Sequence, residues 1–134
     1  MYGSLDVSTS GMVAQRTRMA VIAANIANRN TMLNAQGEVD PYRRREVFFS
    51  PAEDGQGVRV AAIEKNEDAV RWKYDPGSPF AETEGPQAGY VLIPDISPVV
   101  EQINAMEASR AYEANVVAAE ASKSMVAQAL RLLA

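Results

Sequence analysis

The sequence predicts an α+β protein with a long helix at each end and a small β-rich module between them. Three observations carry that expectation. All seven prolines fall between Pro41 and Pro98. Glycine occurs at Gly3 and Gly11 and then only from Gly37 to Gly89. The segments 12–36 and 99–134 therefore lack both residue types, and in a helix interior proline costs about 3 kcal/mol and glycine about 1 kcal/mol. The divisions that follow are an N-terminal helix within 1–31, a β-rich module over 32–96 and a C-terminal helix over 97–134.

In the first segment Leu5, Met12, Met19 and Ile26 recur every seven residues, with Ile22 and Ala23 filling one intervening position. Ser8, Thr9, Gln15 and Arg16 leave other intervening positions polar. Such a thin apolar seam is narrower than the stripe of a globular-core helix and needs a partner. Asn25, Asn28 and Asn30 mark the stop, because asparagine accepts the left-handed conformation at a helix end. Capping alone and a further role are both open for this cluster.

The last segment is more strongly helical. Ser97 suits the N-cap and Pro98 the first helical position, where a missing N–H costs nothing. Tyr112, Val116, Ala119, Lys123, Val126, Leu130 and Leu133 step by alternating four and three residues, a heptad seam with one charged interruption. A second seam runs through Ala114, Ala118, Ala121, Met125, Ala129 and Leu132, so this helix touches more than one neighbour, and its alanines permit close approach. Met12, Met19, Met106 and Met125 fit packing better than ligation. As one helix, 99–134 would be about 54 Å long, against roughly 36 Å for the diameter of a compact globule of this size. A chain built this way projects an arm or assembles.

Between the helices, Tyr42–Phe49 is a strand candidate ended by Ser50-Pro51, and Gly57–Ile63 alternates with Val58, Val60 and Ala62 on one side. Val70, Trp72 and Tyr74 alternate with Arg71 and Lys73 before the Asp75-Pro76-Gly77 turn. Gly89–Ile93 is a fourth short run, ended by Pro94. Four strands and their loops make a small module without room for a catalytic cleft.

Composition narrows the chemistry. The 134 residues suffice for one domain, and 47% hydrophobic with 22% charged residues is ordinary for a folded protein. Cysteine and histidine are absent, which removes disulfides, thiolate nucleophiles, Cys/His zinc sites and imidazole catalysis. The formal charge of −4 argues against nucleic-acid binding. The most apolar short stretch, Met19–Ala27, contains Asn25 and falls far short of the roughly 18 residues that span a bilayer. The N-terminus carries Asp6 and no basic region before an apolar block, so it does not read as a cleavable signal. Glu67-Asp68 and the Glu82, Glu84 pair read as solvated loops, Glu53-Asp54-Gly55 lacks the remaining ligands of a calcium loop, and the glycines form no phosphate-binding pattern. No enzyme site, metal site or cofactor is expected. Arg43-Arg44-Arg45 lies among Glu38, Asp40 and Glu46, and reads either as strand-edge charge that discourages wrong pairing or as an intersubunit salt-bridge patch.

Leu5-Asp6-Val7-Ser8-Thr9-Ser10-Gly11-Met12 through Ala24-Asn25-Ile26-Ala27-Asn28, with Asn30-Thr31 after it, resembles the N-terminal signature of the bacterial flagellar rod and hook axial proteins. Four further segments make the chain similar to the proximal-rod C type within that family. They are Pro41-Tyr42-Arg43-Arg44-Arg45, Gly57-Val58-Arg59-Val60, Tyr74-Asp75-Pro76-Gly77 with Pro79 before Gly89-Tyr90-Val91, and Ser109-Arg110-Ala111-Tyr112-Glu113-Ala114-Asn115-Val116. The likeness covers essentially the whole chain. It departs at Ser78, where the family often has His, at Asp95, where it often has Asn, and in a shorter loop near 50–56.

The resemblance implies a structural, non-enzymatic subunit of the basal-body rod, the hollow drive shaft that crosses the periplasm. It implies synthesis in the cytoplasm and export through the flagellar type III apparatus without a cleaved signal. The terminal helices would pair as a coiled-coil-like α layer with the β-rich module outside. Leu5, Met12, Met19, Ile22 and Ile26 on the first helix, and Tyr112, Val116, Ala119, Met125, Val126, Leu130 and Leu133 on the last, would pack within and between subunits. Asn25, Asn28, Asn30 and Thr31 belong to the family motif, and Arg43, Arg44, Arg45, Arg110 and Asn115 are candidates for polar contacts between subunits. Implied partners are further copies of the chain, the proximal-rod B and F proteins and the rod-base protein FliE. The alternatives are a rod protein of the B or F type, or a soluble helical secretion adaptor or chaperone.

Overall fold

Both breaker-free segments carry a helix, the first only as far as Ala27, in the computed structural model, which describes residues 2–134. The order is α1 (Tyr2–Ala27), β1 (Arg45–Pro51), β2 (Val58–Lys65), β3 (Val70–Tyr74), β4 (Tyr90–Pro94) and α2 (Pro98–Leu133). The class is α+β, as the sequence predicts. Ser97 caps α2 in an extended conformation, its side chain accepting from the Val100 N–H, and Pro98 opens the helix.

The two helices lie side by side and run antiparallel. Asn25 meets Glu101, Arg18 pairs with Glu107, and Gly11 lies against Asn115. The line of closest approach is made mostly of small and polar residues, with Ile22 the large apolar exception among the described buried positions. On α1 the buried positions are Ser8, Gly11, Ala14, Ile22 and Asn25. On α2 they are Glu101, Ala108 and Ser122. Leu5, Met12, Met19 and Ile26 flank that line and are half-buried. Small side chains at the centre let the helix axes approach and leave the larger ones at the rim. Gly11 shows the tightness: a Cβ there would stand 2.6 Å from Asn115 Oδ1.

On the register of these contacts, α2 continues past the start of α1 by roughly two turns. Leu130, Leu132 and Leu133 lie on that projecting end, and Leu132 is 87% exposed.

Helix α1 ends at Ala27, near the expected stop, but not by the expected means. Among the described residues no non-glycine residue has a positive φ, so no asparagine there is left-handed. Instead the Asn28 side chain donates to the Ala24 carbonyl at 2.9 Å and accepts from the Thr31 hydroxyl at 3.0 Å. The Ala24 carbonyl also accepts from the Asn28 N–H, so the side-chain amide doubles a bond of the last turn and holds the end while the backbone keeps its ordinary conformation.

The module between the helices is two separate antiparallel hairpins, β1–β2 and β3–β4. Strand β1 extends through Ser50 and Pro51, which were expected to end it. Pro51 is the last paired residue, opposite Val58, where a proline is tolerated. The register shifts between Phe48 and Phe49, which face Ala62 and Val60, so Ala61 is the extra residue of a β-bulge. This hairpin lies along α1: Arg45 bonds Asn25 near one end of the helix, and the Val58 N–H donates to Ser10 Oγ near the other. Gly57, at φ 91°, permits that approach, because a Cβ there would sit 2.3 Å from Ser10 Oγ. Hairpin β3–β4 stands off the backbones of both helices and of β1–β2, and its Val91, Ile93 and Pro94 share a cleft with Arg29, Asn30 and Met32 and with Pro98 at the head of α2. Its Val70, Trp72 and Tyr74 share a face as expected, and Trp72 is 44% exposed.

Candidate functional site

Two features stand out: an apolar helical surface and a buried polar junction. The buried apolar set is small, consisting among the described residues of Ala14, Ile22, Ala69, Val91 and Ala108. Large apolar side chains instead face outward along both helices, with Val7 and Val13 on α1 and Val99, Val100, Ile103, Met106, Val117, Met125 and Leu130 on α2. Tyr112, Val116, Ala119 and Val126 are half-buried beside the helix–helix line, whereas Met125, Leu130 and Leu133 are exposed. Sequence reasoning missed the outward stripe of Val99, Ile103 and Met106. Their four-then-three spacing was the available signal.

The junction forms where α1 ends, β1 begins and α2 starts. Asn25 is 1% exposed and uses every hydrogen-bonding position of its amide. Its Oδ1 accepts from the Arg45 N–H and from the Tyr42 hydroxyl, each at 3.0 Å. Its Nδ2 donates to the Arg45 carbonyl at 2.9 Å and to Glu101 Oε2 at 3.2 Å. Glu101, also 1% exposed, takes Arg44 Nε on its other oxygen at 2.5 Å, and Arg44 also pairs with Glu46. A carboxylate in the first turn of α2 is favoured by the helix dipole as well.

The charges respond accordingly. Burial pushes the Arg44 pKa down, but the hydrogen bond and charge of Glu101, with those of Glu46, outweigh it and hold it above its ordinary value. Burial raises the Tyr42 hydroxyl, the nearby Arg45 charge opposes this, and Glu101 adds to it. Arg45 stands over the Tyr42 ring, 5.6 Å from its centroid.

The three arginines therefore have partners within the chain. Arg43 pairs with Asp40 at 2.5 Å and faces Glu67 at 3.7 Å, Arg44 is locked into the junction, and Arg45 covers Tyr42. Asn115 donates to the Ala111 carbonyl at 2.8 Å and fills the space above Gly11. Arg110 and Asn30 are exposed. Of the asparagine cluster, Asn25 joins three elements, Asn28 with Thr31 closes the helix, and Asn30 does neither. Glu101 escaped sequence reasoning. The sign was its place at the head of a seven-residue series with Ala108, Asn115, Ser122 and Ala129.

No helix among the described residues is long and apolar enough to cross a membrane. The family model for the flagella basal body rod protein matches residues 5–32, and that for the flagellar basal body rod FlgEFG protein C-terminal matches residues 87–132. These two stretches contain most of α1 and α2. The flagellar basal-body rod protein FlgC of Borreliella burgdorferi is 39% identical, over 99% of this chain and 97% of its own length. That of Bacillus subtilis is 35% identical over 98% and 97%, and that of Salmonella typhimurium 34% identical over 95% and 93%. Full-length likeness at this level, carried by both helices and the module between them, places the chain in the FlgC family of flagellar basal-body rod proteins.

Proposed function

We propose that this chain is a structural, non-enzymatic subunit of the proximal rod that assembles through the outward faces of its two terminal helices. One observation carries this reading: the helices matched by the rod-family models leave large apolar side chains exposed, Val7 and Val13 on α1 and a longer series on α2. Val117, for example, is 64% exposed. Fully burying a side chain of this kind is worth roughly 1.5–3 kcal/mol, and many act together once neighbours are present.

Residues 1–31 and 97–134 form the axial layer on this reading, and 32–96 the outer module. Leu5, Met12, Met19 and Ile26 support the contact from α1, with Ile22 packing inside the subunit, and Tyr112, Val116, Ala119, Met125, Val126, Leu130 and Leu133 support it from α2. Arg45 and Arg110 supply polar contacts between subunits. Neighbours are further copies of the chain, rod proteins of the B and F types and the rod-base protein FliE. The subunit leaves the cytoplasm through the flagellar export apparatus without a cleaved signal and transmits torque as part of a hollow shaft.

Met106→Asp and Val117→Asp test this, because both side chains are exposed and contribute little to the subunit's own fold. In the native bacterium each variant should abolish swimming and rod incorporation while cellular protein level and the helicity of the purified chain stay unchanged. Normal swimming by both would overturn the proposal.

A further inference from the structure

We infer that the buried junction of Asn25, Arg44 and Glu101 sets the alignment of α2 along α1, selecting one register among several rather than supplying stability. With Tyr42 the junction has four side chains, and three of them, Asn25, Tyr42 and Arg44, are fixed on the α1 side whatever α2 does. Asn25 is tied to the Arg45 backbone through both its amide oxygen and its amide nitrogen, Tyr42 donates to it, and Arg44 directly precedes Arg45. Helix α2 contributes a single group, the Glu101 carboxylate.

The rest of the contact line discriminates poorly. Below Glu101 the α2 positions along it repeat every seven residues as Ala108, Asn115, Ser122 and Ala129. A slide of one heptad, about 10 Å along the axis, sets Asn115 in the place of Ala108 and Ser122 over Gly11, changes of a few atoms each, whereas at Asn25 it exchanges a carboxylate for a methyl group. Sliding one way would bring Pro94, outside the helix, to Asn25, and is excluded. Sliding the other way brings Ala108 there and draws the projecting end with Leu130 and Leu133 back alongside α1, a move that apolar burial favours. It strips Asn25 and Arg44 of the carboxylate they share. Hairpin β3–β4, which precedes α2, stands off the backbones of both helices, so the short segments 66–69 and 95–97 and the cleft that the hairpin shares with Arg29, Asn30 and Met32 are the ties that such a slide must accommodate. A buried ion pair is a poor source of net stability but a strong penalty when one partner is removed, which suits a selector. By this device the leucine-rich end stays outboard. Its availability to neighbours rests on the rod reading, but the register itself does not.

The sequence has no cysteine, so introduced thiols report the alignment cleanly. Gly11→Cys with Asn115→Cys reads the observed register. Gly11→Cys with Ser122→Cys, carrying Asn115→Ala to clear the space above Gly11, reads the slid one. Both pairs are oxidised in the dilute full-length chain, in trimethylamine oxide to favour the folded state, and the intramolecular disulfide is quantified. With the junction intact the first pair should form at least about tenfold more disulfide than the second. Moving the carboxylate one heptad, by Glu101→Ala with Ala108→Glu, should reverse that preference. The apolar replacement Asn25→Leu, Arg44→Met, Glu101→Leu should keep its helicity and form both disulfides to within about threefold. The inference is overturned if the first pair fails to form in the otherwise native chain, if it still dominates after the carboxylate is moved, or if the apolar replacement loses its helicity. None of these readouts involves assembly, so rod function and register stand or fall separately.

Discussion

Asn25→Ala removes four hydrogen bonds at once, two to the Arg45 backbone, one to Tyr42 and one to Glu101. The two bonds to the Arg45 backbone are part-buried, so water replaces them in part and their loss costs less. Glu101 Oε2 and the Tyr42 hydroxyl are less fortunate, and a buried polar group left without a partner costs about 1–3 kcal/mol. The expected loss is about 3 kcal/mol in total, which for a domain of this size lowers Tm by about 10 °C. Urea unfolding followed by far-ultraviolet circular dichroism measures it, as a lower midpoint at unchanged slope. Asn25→Asp sharpens the test. It keeps the oxygen that accepts from Arg45 and Tyr42 but sets a second carboxylate against Glu101, 3.2 Å from the present amide nitrogen. Two carboxylates so close repel while both are charged, and acid relieves the repulsion by neutralising one of them, so stability recovers as pH falls. Asn25→Asp should therefore be less stable than Asn25→Ala at neutral pH and close that gap in acid. An Asn25→Ala chain within about 0.5 kcal/mol of the native one, as for an ordinary surface substitution, would refute the reasoning.

Gly11→Ala should destabilise the chain by about 1 kcal/mol despite its better helix propensity, since Asn115 must leave its place and its bond to Ala111. Adding Asn115→Ala should recover that loss, a non-additivity that a double-mutant cycle in urea measures. Tyr42 has a raised pKa, so its contribution is fully present below its ordinary value of 10.0 and is lost as pH rises through the folded-state value. The stability difference between the native chain and Tyr42→Phe should accordingly be constant below that pH and shrink above it. The dilute chain should be less helical than the assembled one, with fast amide exchange confined to the projecting end of α2 around Leu130 to Leu133. Equal helicity and protection in both states would count against assembly through that end.

Sequence alone settled where helices and strands form. The breaker-free segments, the Ser97-Pro98 start and the alternation of Val70, Trp72 and Tyr74 are local signals, and local backbone preference decides such matters. The family signature was equally legible, because it resides in short runs such as Ala24–Asn28 and Ser109–Val116. Periodicity reports which residues share a helix face but not which face meets a partner, and α2 offers several stripes. Tertiary structure chose the one through Glu101, Ala108, Asn115 and Ser122, not the smaller Ala114, Ala118 and Ala121, and left Val99, Ile103 and Met106 outside. It alone brought Glu101 to Asn25, 76 positions earlier, and set Arg44 between Glu101 and Glu46. A buried carboxylate is tolerable only where distant residues converge to satisfy it, and that convergence is a property of the folded chain.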